Sequence, residues 1–231
     1  MRFEDLKKLN EARATRKAVV TVTDLATGEA QVLVESGSVG APLGEAVAKA
    51  LRSGKAGAVD VEGQALFLNV YLPPPRIVVI GAVHISQALA RLAPVAGYDL
   101  TIIDPRTAFA TEERFEGVEL VADWPEDVLK QHPLDAYTAL AAVTHDPKID
   151  DFPLSQALKS GCFYVGALGS RKTHAKRVER LMEMGHSEEE ITRIAAPIGL
   201  DIGAATPAEI ALSTLAQIVQ AFRRRDLVTG R

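Results

Sequence analysis

Hydrophobic and polar positions along this chain follow two rhythms, and the change falls near residue 75. Residues 76–80 (RIVVI) and 99–104 (DLTIID) are apolar runs of the kind found in strands buried on both faces. Between them, residues 85–96 place Ala88, Leu89, Leu92 and Val95 at helical spacing. Short strands are predicted at 118–121, 139–143 and 163–165, and helices at 125–130, 153–159 and 171–184. A shorter helix follows from Ser187, whose Ser-Glu-Glu-Glu start fits a capping box. Thr206-Pro207-Ala208-Glu209 opens a last helix that runs to about residue 222. Strands alternating with helices imply a parallel, doubly wound α/β sheet.

The first 73 residues read differently. Residues 3–18 predict a helix with apolar positions at Phe3, Leu6 and Leu9. Residues 19–23 (VVTVT) and 30–35 (AQVLVE) predict a hairpin turning through Asp24, Thr27 and Gly28. Gly37-Ser38-Val39-Gly40 is a loop, residues 43–51 a short helix, and 58–61 and 65–71 two further strands around Glu62-Gly63. This is a small α+β module. Pro73-Pro74-Pro75 cannot continue a helix or pair in a central strand, so a boundary is placed there. The expected domains are residues 1–73 and 74–231.

Composition narrows the function classes. With 47% hydrophobic and 24% charged residues, the chain is neither disordered nor fibrous. A net charge of −4 supplies no basic field for nucleic acid. One cysteine excludes a disulfide framework and any Cys-rich metal site. The charged start resembles no signal peptide, and no apolar run approaches the ~20 residues of a membrane span. The expectation is a soluble, cytoplasmic protein with no membrane partner.

Ligands of doubly wound sheets bind beyond the carboxyl ends of the strands. Four loops fall there: Gly81-Ala82-Val83-His84, Asp104-Pro105-Arg106, residues 144–148 (THDPK) and residues 166–174 (GALGSRKTH). Gly81 can make a tight turn, but Val83 and Ser86 stand where a G-x-G-x-x-G fingerprint has glycines. Asp104 nevertheless follows Gly81 at about the spacing of a ribose-binding carboxylate, roughly 20 residues. A ligand-free βα turn and a nucleotide site both fit this loop. In the last loop, Gly166 and Gly169 permit close backbone approach, and Ser170 is a candidate N-cap. Arg171 and Lys172 stand where helices ordinarily favour acids, which points to an anion site over a solvated basic helix start.

His84, His145 and His174 share these loops without metal-ligand spacing, so they read as hydrogen-bonding or structural, and no bound metal is expected. His132 and His186 read as surface residues. Cys162 reads as a small buried hydrophobe. No G-x-S-x-G motif is present, and no catalytic residue is assigned.

Residues 144–151 (THDPKIDD), 164–174 (YVGALGSRKTH) and 197–203 (PIGLDIG), with Asp104-Pro105-Arg106 and Phe115, resemble the C-terminal domain of the xanthine dehydrogenase accessory (XdhC/CoxI) family. The resemblance covers about residues 75–225. It implies a Rossmann-like domain that binds molybdenum cofactor transiently, protects it during sulfuration by a cysteine desulfurase and helps insert it into an apo molybdenum hydroxylase of the xanthine dehydrogenase type. It implies a maturation chaperone without turnover, in a homodimer or other homo-oligomer.

Laid on these motifs, the implied cofactor-binding set is Gly81, His84, Asp104, Arg106, His145, Asp146, Gly166, Gly169, Ser170, Arg171, Lys172, His174, Gly199, Asp201 and Gly203. Arg171 and Lys172 suit a phosphate, and Asp104 or Asp201 could receive pterin N–H groups. Two departures stand out: Val83 replaces the second glycine of the family's Gly-Ala-Gly-His turn, and the short N-terminal module lacks the cysteine motif of longer members. The alternatives are an NAD(P)-dependent oxidoreductase built on Gly81 and Asp104, and a nucleotide-binding regulatory domain.

Overall fold

The computed structural model describes residues 2–35, 37 and 39–224, so Ser38 of the Gly37–Gly40 loop lies outside the described residues. The chain divides into two compact units, one reaching Pro73 and one running from Pro74 to Arg224.

In the first unit, α1 (Phe3–Ala14) precedes the hairpin β1 (Val19–Asp24) and β2 (Ala30–Val34). Helix α2 (Leu43–Ser53) leads to β3 (Gly57–Val61) and β4 (Gln64–Tyr71). The strands form an antiparallel sheet in the order β2-β1-β4-β3. The buried face of α1 is Asp5, Leu9 and Ala12, not the predicted stripe of Phe3, Leu6 and Leu9. Phe3 is 82% exposed and Leu6 41%, because at 100° per residue both drift away from the side that Leu9 and Ala12 share. Asp5 is tolerated on that side because the Arg2 backbone N–H and Nε both donate to its carboxylate.

The second unit opens with β5 (Arg76–Ile80), α3 (His84–Leu92) and β6 (Asp99–Ile103). It continues through β7 (Glu119–Val121), α4 (Pro125–Gln131), β8 (Thr138–Ala142), α5 (Pro147–Lys159) and β9 (Tyr164–Ala167). It closes with α6 (Arg171–Glu183), α7 (Glu188–Ile191), β10 (Ile194–Ala195) and α8 (Pro207–Arg224). The six strands are parallel and ordered β10-β9-β8-β5-β6-β7, a Rossmann-like α/β sheet preceded by the small antiparallel sheet.

Residue alternation puts one core on each face. Ile77 and Val79 pack with Leu89 of α3 and Ala211 and Ile218 of α8. Val78 and Ile80 pack on the other face with Leu129, Leu154 and Leu181, from α4, α5 and α6. Burial on both faces is why these strands are unbroken apolar runs.

Further details of the second unit differ from the sequence-based expectation. Helix α5 starts at Pro147 rather than Pro153, because Asp146 caps it by accepting from the Lys148 N–H, and Pro147 suits the first turn. Strand β10 has two residues, too few to show a period. His186, expected at the surface, is buried and bonded to Ser155 Oγ at 2.7 Å.

Candidate functional site

Because the strands are parallel, the loops after β5, β6, β8 and β9 all leave from one edge of the sheet. The strand order reverses between β5 and β8, so this edge carries the switch-point crevice where doubly wound sheets bind ligands. The loop after β5 is held tightly. Gly81 has φ +120°, and a Cβ there would come within 2.8 Å of Thr144 Cγ2 on the neighbouring loop, so only glycine fits. Ser86 donates to the Gly81 carbonyl from the buried first turn of α3.

Asp104 completes that arrangement. Its fully buried carboxylate accepts from the Ala82 N–H at 2.7 Å and from the Arg106 N–H, Nε and Nη2 at 2.8–2.9 Å. Burial opposes its charge, but the bonds from Arg106 and Ala82 prevail and hold the carboxyl below its usual range. Its acceptor positions are thus taken. Asp104 pins the β5–α3 turn and aims Arg106, and it presents no open oxygen to pterin or ribose N–H and O–H groups.

The loop after β8 stands across the crevice. Thr144 Oγ1 donates to Asp150 Oδ1 at 2.7 Å and accepts from the Asp146 N–H at 3.0 Å. His145 between them is exposed and takes φ +65°, a left-handed conformation that histidine adopts uncommonly. After β9, Ser170 caps α6 by accepting from the Thr173 N–H, and Gly169 has φ +134° beside the Thr173 side chain.

The starts of α5 and α6 bound a cleft of about 300 Å³, lined by His145, Pro147, Asp150, Asp151, Lys172, Thr173, Lys176, Arg177 and Arg180. Of the predicted site residues, His145 and Lys172 line this cleft. Asp146 caps α5 beside it, and Ser170 caps α6. Arg171 is exposed at the α6 start without lining the cleft, and His174 sits one turn on with a buried, unpartnered Nδ1. Burial, then the Arg177 charge, keeps His174 below its usual pKa.

Gly81, His84, Asp104 and Arg106 lie along the same sheet edge outside the cleft lining. Gly166 and Gly199 serve packing. A Cβ on Gly166 would meet Tyr164 and Ile198, and one on Gly199 would meet Ser213 of α8. The Gly199 N–H and Tyr164 hydroxyl both donate to Gln217 Oε1, which fixes this loop on α8. Asp201 and Gly203 are exposed beyond it.

Sequence reasoning missed the two most buried charges of the cleft, Asp150 and Arg177, which are 1% and 2% exposed. Arg177 stands four residues before the buried Leu181, and a basic residue on that stripe was the available signal. Desolvation pushes the Asp150 carboxyl up to about 6, although the Thr144 bond and the Arg177 charge pull it down. Cys162 lies before β9, at the opposite edge of the sheet, and burial pushes its thiol up to about 12. Among the described residues, no group of three or more His, Cys, Asp or Glu side chains is arranged to hold a metal ion. No helix among them is long and apolar enough to cross a membrane.

Residues 77–218 match the family model of the XdhC Rossmann domain. A relative from Bacillus subtilis (strain 168), named as a probable xanthine dehydrogenase subunit, is 30% identical over 164 residues, 71% of this chain and 48% of that protein. The molybdenum cofactor insertion chaperone PaoD of Escherichia coli (strain K12) is 33% identical over 148 residues, 64% of this chain and 40% of that one. A crystal structure described as a xanthine dehydrogenase from Bacillus halodurans is 25% identical with a TM-score of 0.63, covering 97% of this chain and 66% of that chain. The chain spans less than half the length of the curated relatives it matches. With the fold, the sheet-edge motifs and the family match in agreement over the second unit, the chain belongs to the XdhC family.

Proposed function

We propose that this chain carries molybdenum cofactor as cargo in the cytoplasm and assists its insertion into a molybdenum hydroxylase of the xanthine dehydrogenase type, without turnover of its own. One observation carries the reading. A domain shared with a relative named as a molybdenum cofactor insertion chaperone has, at its ligand-binding edge, a cleft whose buried guanidinium and rim lysines suit the cargo's phosphate. The cargo's pterin would lie along the crevice beside it, where Gly81 keeps the backbone close and Arg106 is held in place by Asp104.

Sulfur supply falls to a separate cysteine desulfurase in this reading. The chain's one cysteine is buried, raised in pKa and placed at the far edge of the sheet. The partners are then an apo-hydroxylase, the desulfurase and a second copy of the chain. The testing experiment is co-expression with a molybdenum hydroxylase. The expected result is a higher active fraction of the hydroxylase at unchanged hydroxylase abundance. An active fraction independent of this chain, together with NAD(P)H turnover by the purified protein, would instead favour the oxidoreductase reading.

A further inference from the structure

Two buried side chains in the α5–α6 cleft have incomplete bonding. Arg177 Nη2 donates to the Leu168 carbonyl at 2.9 Å, but its Nε and Nη1 are buried with no partner. Asp150 Oδ1 accepts from Thr144, but Oδ2 is buried with no partner. The two residues feel each other's charge and line the same cleft, yet no hydrogen bond joins them. Buried polar groups are ordinarily satisfied, and a guanidinium with two open nitrogens beside an open carboxylate oxygen describes a place for a third group. That group must accept from Arg177 and share a proton with Asp150.

The surroundings set its charge. Asp151 is neutralised by Arg180, which donates to it at 2.5 and 3.0 Å. Lys172 and Lys176 are exposed at the rim and make no ion pair among the described residues. The first turn of α6 has no acidic residue. The cleft therefore has an excess of positive charge, with Asp150 as the one carboxylate of its lining without a direct ion pair.

We propose that the cleft is a phosphoryl-binding site in which Arg177 donates to the phosphoryl oxygens and Asp150 shares the proton that a phosphate or phosphate monoester retains. Phosphate offers both acceptors and a proton, whereas sulfate offers acceptors alone. Asp150 is thus the group that selects between them. The other charged or titratable groups facing Asp150 are Arg106 beyond β6, His145 beyond β8, Asp151 on α5, and Lys172, Lys176, Arg177 and Arg180 on α6. The inference rests on the cargo reading only for which phosphorylated molecule docks here, and a small-anion probe tests the site apart from any cargo.

The experiment is calorimetric titration of the full chain with inorganic phosphate and with sulfate near pH 8, where Asp150 is ionised and phosphate still holds one proton. The expected result is saturable phosphate binding, roughly tenfold or more tighter than sulfate. Asp150→Asn should bring the two anions within about threefold of each other by removing the charge that repels sulfate. Arg177→Met should weaken phosphate at least roughly tenfold, because it removes the buried guanidinium that donates to the phosphoryl oxygens. If Arg177→Met does not fold, the exposed pair Lys172→Ala and Lys176→Ala replaces it, with a loss of roughly threefold or more expected.

A short alkyl phosphate, titrated near pH 6.5 where it and Asp150 hold one proton between them, separates the two sources of the group. Affinity like that of inorganic phosphate assigns the cleft to the phosphoryl end of a larger molecule, and binding of the free ion alone overturns the monoester assignment. Absence of saturable phosphate binding, or equal phosphate and sulfate affinities in the unaltered chain, overturns the proposal.

Discussion

Asp150 shows what burial does to a single residue here. Its carboxyl is raised from 3.8 to about 6, so between those values the folded chain holds a proton that the unfolded chain has released. The stability from that proton is fully present below pH 3.8 and is lost as pH rises through about 6. A shift of this size corresponds to on the order of 3 kcal/mol. Asp150→Asn keeps an acceptor for Thr144 and removes the titration. Urea unfolding from about pH 5 to pH 8 should then show the variant more stable than the unaltered chain above about pH 6, with the difference shrinking as pH falls. Parallel stability curves for the two proteins would place the titrating group elsewhere. Asp104 shows the opposite balance. It too is shielded from solvent, yet Arg106 and the Ala82 N–H complete its bonding and its carboxyl is lowered.

At the scale of elements, the start of α5 shapes the cleft. Asp146 caps the helix, Thr144 binds both the Asp146 N–H and Asp150, and His145 between them is held in a left-handed conformation. Asp146→Ala removes the cap and should lower stability by about 1 kcal/mol. It should also increase amide exchange at the first turn of α5 while leaving α8 unchanged, and uniform exchange across both helices would contradict this local role. The central strands of the second unit were legible because burial on two faces leaves apolar runs, as in Arg76–Ile80. The caps at Ser170 and Ser187 were legible because side-chain oxygens at helix starts have a recognisable spacing.

The charged core of the cleft was harder to read. Helix α6 carries Arg171, Lys172, Lys176, Arg177 and Arg180, and which of these is buried depends on packing against a neighbouring helix. The bonding of Asp104 was illegible for a related reason. Its spacing from Gly81 suits a ligand carboxylate, but spacing does not show that an arginine two residues on occupies its oxygens. The early start of α5 was obscured by its second proline, Pro153, which resembles a first-turn residue but lies inside the helix.

At the scale of the whole molecule, the second unit separates two chemistries by sheet edge. The carboxyl edge carries the crevice, the basic cleft and the family motifs, and the amino edge carries the buried thiol of Cys162. That such a unit holds and hands over a ligand is the proposal made above, and it is the account's central claim. The most direct test purifies the full chain from cells that make molybdenum cofactor and from cells blocked in its synthesis. Oxidation of the bound fraction then releases a fluorescent pterin product, which is quantified per chain. The account predicts a near-stoichiometric pterin signal from the first cells and none from the second. A folded chain that carries no more pterin from cofactor-producing cells than from blocked cells would contradict it.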